Sequence, residues 1–112
     1  MKQTEEQIKR IVEKTLKDLD MIDKKEFNES YEIKNVNFQE SEEILRGPNK
    51  NKTKAVWNAS VLSRNDITGQ KFLFFTILDD TATPLYFQSS QVSIAELAVD
   101  KEGKVYRVNK AK

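Results

Sequence analysis

The 112-residue chain contains no histidine and no cysteine. Histidine is the only side chain whose unperturbed pKa lies in the physiological range, and cysteine is the strongest nucleophile at neutral pH, so their absence removes catalytic triads, thiol chemistry and ordinary zinc sites. Disulfide stapling is excluded as well, and a cysteine-free chain suits a reducing compartment. Glycine is also scarce, at three residues, and proline is limited to two, so there are few obligatory turns and no glycine-rich phosphate cradle. Charge of one sign is lacking: 19 Lys+Arg face 18 Asp+Glu for a net charge of +1. Such a balance supplies little counterion release for tight binding to a phosphate backbone.

Long hydrophobic runs are missing too. The longest, Phe72 to Phe75 followed by Thr76, Ile77 and Leu78, is far below the roughly 18 residues needed to cross a bilayer. The first residues, MKQTEEQIKR, contain no apolar signal core. The expectation is a soluble, cytoplasmic protein in which residues 1–112 form one α+β domain.

What is present sets a fold. Thr4 and Gln7 form a capping box, with Glu5 and Glu6 where the helix dipole favours anions. Ile8, Ile11, Val12, Leu16 and Leu19 then recur at helical spacing, an apolar stripe that requires a surface to lie on. Asp23 and Glu26 suggest a further short helical turn ending near Phe27. From Tyr31 the period becomes that of a strand. Tyr31, Ile33, Val36 and Phe38 change phase between Ile33 and Val36, which predicts a bulge. Gly47-Pro48-Asn49 predicts a turn, with the loop running to about Thr53.

Trp57 lies on one face of an alternating segment that begins at Ala55, and Asn65-Asp66 through Gly69 predicts a hairpin into Lys71–Leu78. That segment is apolar on both faces and reads as the central strand. Thr81-Ala82-Thr83-Pro84 reads as a break before Leu85, Tyr86 and Phe87. Val92 to Val99 is then expected to pair with Lys104 to Val108 across Asp100-Lys101-Glu102-Gly103. A short helix capped by Ser93 and Glu96 is the second reading of that stretch. The prediction is an N-terminal amphipathic helix packed on a curved, four- to five-stranded antiparallel sheet.

This order of elements resembles the cystatin-like architecture. The segment Ala98-Val99-Asp100-Lys101-Glu102-Gly103-Lys104-Val105 is similar to the closing hairpin of PepSY domains. The glutamine-valine-glycine signature of the protease-inhibiting cystatins is absent, since Gln91-Val92-Ser93 lacks both its spacing and its glycine, so the resemblance concerns topology and carries over no functional residue.

Candidate functional residues fall into charged and aromatic groups. Glu40, Glu42 and Glu43 offer an acidic surface to a basic partner, while Arg46, Lys50, Lys52 and Lys54 offer a basic one, with Trp57 nearby in sequence. The lysine loop lacks the glycine-lysine-serine/threonine ending of a phosphate-binding loop. Trp57, Phe72, Phe74, Phe75, Tyr86 and Phe87 exceed what one face of a small sheet buries readily, leaving aromatic surface for an interface. The leading expectation is a non-enzymatic protein-binding module, in the manner of immunity proteins and small inhibitors. It has no catalytic residue, metal or cofactor, and its partner is another protein rather than nucleic acid or membrane. A homodimer through an edge strand is a further possibility. The competing expectation is a ligand-binding or carboxylate-based enzymatic pocket between helix and sheet, using Asp79, Asp80, Tyr86 or a desolvated lysine.

Overall fold

The computed structural model describes residues 2–19, 30–47, 49–65, 69–89 and 94–108. A helix, α1 (Glu5–Asp18), precedes β1 (Ser30–Glu43), β2 (Thr53–Asn65), β3 (Gly69–Leu78), β4 (Thr83–Ser89), β5 (Ala95–Val99) and β6 (Val105–Arg107). The strands form a six-stranded sheet in the order β1-β2-β3-β4-β5-β6, every neighbouring pair antiparallel. The α+β class agrees with the sequence reading; the strand number exceeds it. Both arms of the last hairpin pair in addition to β4, which starts earlier than the Thr81–Pro84 break implied. The short helical turn expected near Phe27 lies outside the described residues.

Helix α1 begins as its sequence dictates. The Thr4 hydroxyl accepts from Gln7 N–H while the Gln7 side chain accepts from Thr4 N–H, a complete capping box. Ile8, Val12 and Leu16 are buried, and Ile11 and Leu19 pack at the margins. Thr15 joins this face because its hydroxyl donates to the Ile11 carbonyl at 2.7 Å, which satisfies the polar atom and permits its burial.

The helix covers one face of the sheet, called here the inner face. Its core is built from Trp57, Ala59 and Val61 of β2, Leu73, Phe75 and Ile77 of β3, and Phe87, Leu97 and Val105 from the following strands. Burying aliphatic side chains of this kind contributes about 1.5–3 kcal/mol each. β2 and β3 pair without a register shift from Val56↔Leu78 to Asn65↔Gly69, so side-chain alternation is preserved through the centre of the sheet. At the edge, the register skips Lys34 between Ile33↔Val61 and Asn35↔Ser60. This is the bulge anticipated from the phase slip, and it keeps Tyr31, Ile33, Val36 and Phe38 on the inner side.

A second irregularity separates Thr76↔Tyr86 from Ile77↔Pro84. Leu85 is the extra residue there, which explains how proline is tolerated within β4, since the ladder is already interrupted at that point. Leu85 thereby joins a smaller cluster with Ile44, Val56, Leu78 and Tyr86. The cluster lies on the outer face, where the chain after β1 folds back. Ile44 N–H donates to the Lys52 carbonyl and Asn51 N–H to the Ile44 carbonyl, both at 2.9 Å. Gly47, with φ of +92°, supplies the left-handed backbone that this turn demands.

Two aspartates fasten the helix to the sheet. Asp79, just past β3 and 3 % exposed, accepts from Lys2 N–H at 2.8 Å, Gln3 N–H at 3.1 Å and the Trp57 indole N–H at 2.8 Å. At the other end, Asp18 accepts from the Lys14 ammonium at 2.6 Å and from Val105 N–H at 2.9 Å. Burial pushes the Asp79 carboxyl up, but the indole and the two backbone donors push it further down, leaving it below the usual aspartate value of 3.8. Asp18 is also held below 3.8, where burial is outweighed by Lys14, the Val105 N–H and the Lys104 charge.

A depressed folded-state pKa means stability that is complete above the unfolded-state value and is withdrawn as pH falls through the folded one. Urea unfolding is therefore expected to report a stability contribution from these carboxylates that is constant above about pH 5 and declines below about pH 4. Asp79→Asn should flatten part of that acid decline and cost about 2–3 kcal/mol at neutral pH, because the amide sets an N–H against donors. For comparison, Leu16→Ala should cost about 2–5 kcal/mol without altering the pH dependence.

Candidate functional site

Asp79 and Asp80, adjacent after β3, are candidates for a cation site or a shared proton only while their oxygens are free. Asp79 is committed to the indole and to the backbone of the N-terminal arm, and Asp80 is ion-paired with Lys2. The pair is a structural junction. Among the described residues, no group of three or more carboxylates is placed to hold a metal ion, and no helix is long and apolar enough to cross a membrane.

Trp57 is not a surface residue. It is 4 % exposed, with its ring tilted against Phe38 at 5.2 Å between centroids. Its proximity in sequence to the lysine loop placed it among the partner-facing candidates; alternation along β2 turns it into the core instead. Tyr86 is likewise buried, 1 % exposed, and its hydroxyl accepts from Leu45 N–H at 3.3 Å.

The charged candidates share one hairpin. Glu40, Glu42 and Glu43 belong to β1, which continues to Glu43. Arg46, Lys50 and Lys52 occupy the connection, and Lys54 stands directly opposite Glu42 in register. Acidic and basic residues therefore interleave on the β1–β2 hairpin instead of forming separate surfaces of opposite sign. The Lys34 bulge and the charges along β1 also oppose addition of another strand to this edge.

The outer face, opposite the helix, carries an exposed aromatic pair. Phe72 and Phe74 are 42 % and 44 % exposed, with their rings stacked at 6.2 Å between centroids and 19° between planes. Both stand on β3, the strand the sequence marked as apolar on both faces. On the inner side that apolar character is covered by α1, and on the outer side nothing described covers these two rings. Around them lie Ser60 and Leu62 on β2 and Gln88 on β4, in register with Phe74, Phe72 and Phe74 respectively. Farther out, Glu32 pairs with Lys34 at 3.4 Å and with Arg64 at 3.7 Å.

Beside Phe74 a groove of about 280 Å³ runs toward the β1–β2 hairpin. Its wall includes Leu45, 40 % exposed, and its floor a row of polar side chains from successive strands. The Thr76 hydroxyl of β3 donates to Asn58 Oδ1 at 3.0 Å, and the Asn58 side-chain NH2 donates to Glu42 Oε1 at 2.9 Å. Sequence reasoning singled out Glu42 for its charge alone. The Asn58 and Thr76 partners were detectable only as polar residues at outward positions of β2 and β3.

These placements separate the acidic residues by their effect on stability. Replacing exposed Glu40 or Glu43 by lysine should change unfolding free energy by no more than about 0.5 kcal/mol. Glu42→Lys should cost about 1 kcal/mol or more in the same urea titration, because it breaks a hydrogen bond to a charged acceptor. Compared with protein-family models, curated proteins and solved structures, the chain matches none.

Proposed function

We propose that this is a non-enzymatic protein-binding module that engages its partner through the outer sheet face. The observation that carries this reading is the exposed Phe72–Phe74 stack on β3. Aromatic anchors held on a rigid element and ringed by polar groups are the anatomy of an interface centre. β3 is well suited to display them, since it is hydrogen-bonded on both sides and its other face is fixed in the core by Leu73, Phe75 and Ile77. The mixed charges of the β1–β2 hairpin flank this patch and would serve as its rim.

The helix-then-sheet order is consistent with a cystatin-like arrangement, and immunity proteins and small inhibitors offer the functional analogy: a compact domain that acts by occupying another protein. The cysteine-free composition suits a cytoplasmic setting for that encounter.

A second reading has its own observation. Between α1 and β1 lies a cleft of about 700 Å³ with Leu16, Tyr31 and Ile33 at its base, the place where a helix–sheet pocket would hold a ligand. Its rim, including Lys9, Arg10 and Glu13, consists of exposed side chains of both signs. Charged groups in that setting remain hydrated and gain little of the electrostatic leverage that catalysis draws from water exclusion. The outer face is therefore the better-supported site.

The test begins with immobilised wild-type protein and a Phe72→Thr/Phe74→Thr variant, which places β-branched residues of high strand propensity at these positions. A protein retained only by the wild type is identified by mass spectrometry, purified and titrated calorimetrically against both. Loss of both anchors should weaken binding by about 2 kcal/mol or more, roughly thirty-fold in Kd. Equal affinity for the two would refute the outer-face reading. Turnover of a generic ester, phosphate or glycoside that disappears on replacing one carboxylate would refute the non-enzymatic one.

A further inference from the structure

The geometry points to a seat for a single arginine side chain of the protein partner, in the groove between Phe74 and Glu42. This inference builds on the outer-face reading and specifies what that face would recognise.

The groove has one ionic end. Glu42 is half-buried and oriented rather than free to sweep through solvent, because the Asn58 amide donates to its Oε1. Asn58 is itself oriented: its carbonyl oxygen is taken by the Thr76 hydroxyl, which directs its NH2 group toward the carboxylate. Three residues on three adjacent strands thus hold one carboxylate in place. Glu42 nevertheless has no ion-pair partner among the described residues. Lys54, opposite it in register, lines a different depression with Lys2, Asp79 and Asp80. The second carboxylate oxygen, Oε2, is left for an incoming cation.

The remainder of the groove narrows the kind of cation. The exposed face of Phe74 and the Leu45 side chain provide apolar walls, and Gln88, paired with Phe74 across β3 and β4, provides an amide. A guanidinium satisfies all three requirements together: it stacks on an aromatic ring, donates to a carboxylate and has further N–H groups for an amide oxygen. An ammonium is more strongly hydrated and lacks the stacking plane. Anionic ligands are opposed by Glu42. At about 280 Å³, the groove falls short of the roughly 300–1,000 Å³ typical of sites for drug-sized ligands, and its scale is that of one inserted side chain.

The experiment is an NMR titration of the whole protein with N-acetyl-arginine amide, using N-acetyl-citrulline amide as the uncharged isostere and N-acetyl-lysine amide as the alternative cation. The arginine probe should produce saturable movement of the Gln88 and Asn58 side-chain amide resonances and of the Phe74 ring. Citrulline should produce none, and lysine a smaller movement. Glu42→Gln preserves the acceptor for Asn58 but removes the charge, and it should abolish the response; Phe74→Leu should do the same, with spectral dispersion showing that each variant remains folded. Equal movement with citrulline or lysine, an unchanged response in Glu42→Gln, or equal movement at remote carboxylates such as Glu13 and Glu102 would overturn the assignment. Because this titration needs no partner, its failure is separable from that of the outer-face reading, which the Phe72/Phe74 calorimetry decides independently.

Discussion

The Asp79 carboxylate is the constraint on which the arrangement depends. It receives the indole N–H of the core tryptophan and two backbone N–H groups from the arm preceding α1. One residue at the exit of β3 therefore fixes where the helix begins, how Trp57 is turned and how the β3–β4 connection starts. A buried indole donor and the free N–H groups ahead of a helix each need an acceptor. A single anion meets these needs at one point, and losing it would leave them unmet together. Asp18 performs the corresponding task at the opposite end of α1, through the Val105 N–H. With both ends held, the apolar stripe of the helix is committed to the inner face.

That commitment decides what is left exposed. One 14-residue helix is about 21 Å long at 1.5 Å per residue, enough to cover one face of the central strands and nothing of the other. Among the described residues, the outer face receives the returning chain after β1, whose Ile44 is buried against Val56, Leu78, Leu85 and Tyr86. This smaller cluster closes one end of the outer face and stops short of Phe72 and Phe74. The groove beside Phe74 is a consequence of that boundary: Leu45, the residue after the buried Ile44, forms its rim, while the open sheet supplies its floor. Packing on one side of the sheet and incomplete packing on the other together produce the only stacked aromatic pair among the described residues that is substantially exposed.

Local rules made much of this fold legible in the sequence. The capping box at Thr4 and Gln7, the stripe along α1, the bulge near Lys34 and the turn from Asp100 to Gly103 are each written within a few neighbouring residues. The Asp100 turn is a clear instance, with one side-chain oxygen accepting from both Glu102 N–H and Lys104 N–H. The features that remained hidden depend on pairings distant in sequence. Asp79 looked like an ordinary turn residue or half of an acidic pair because its donors lie 22 to 77 positions away. Pro84 looked like a strand breaker because the bulge at Leu85 is visible only in register. The aromatic excess indicated exposed rings without telling which, because an apolar residue at an outward position reads the same whether or not another layer covers it.

The candidate site was legible in its ingredients and illegible in its assembly. Glu42 was identifiable by charge and the aromatic excess by composition, but their meeting depends on β1 continuing to Glu43 and on Thr76, Asn58 and Glu42 aligning across three strands. Their alignment also alters what charge can do here. The hairpin interleaves acidic and basic residues, and the chain carries a net charge of only +1, so net charge contributes little to steering a partner from a distance. On the proposed reading, recognition on this face would come from short-range complementarity: rings that exclude water and an oriented carboxylate with one oxygen to spare. A half-buried anion is weakly screened and discriminates by geometry more sharply than the solvated lysines of the neighbouring loop. The proposed binding face therefore draws its specificity from the ordered sheet rather than from the most highly charged segment.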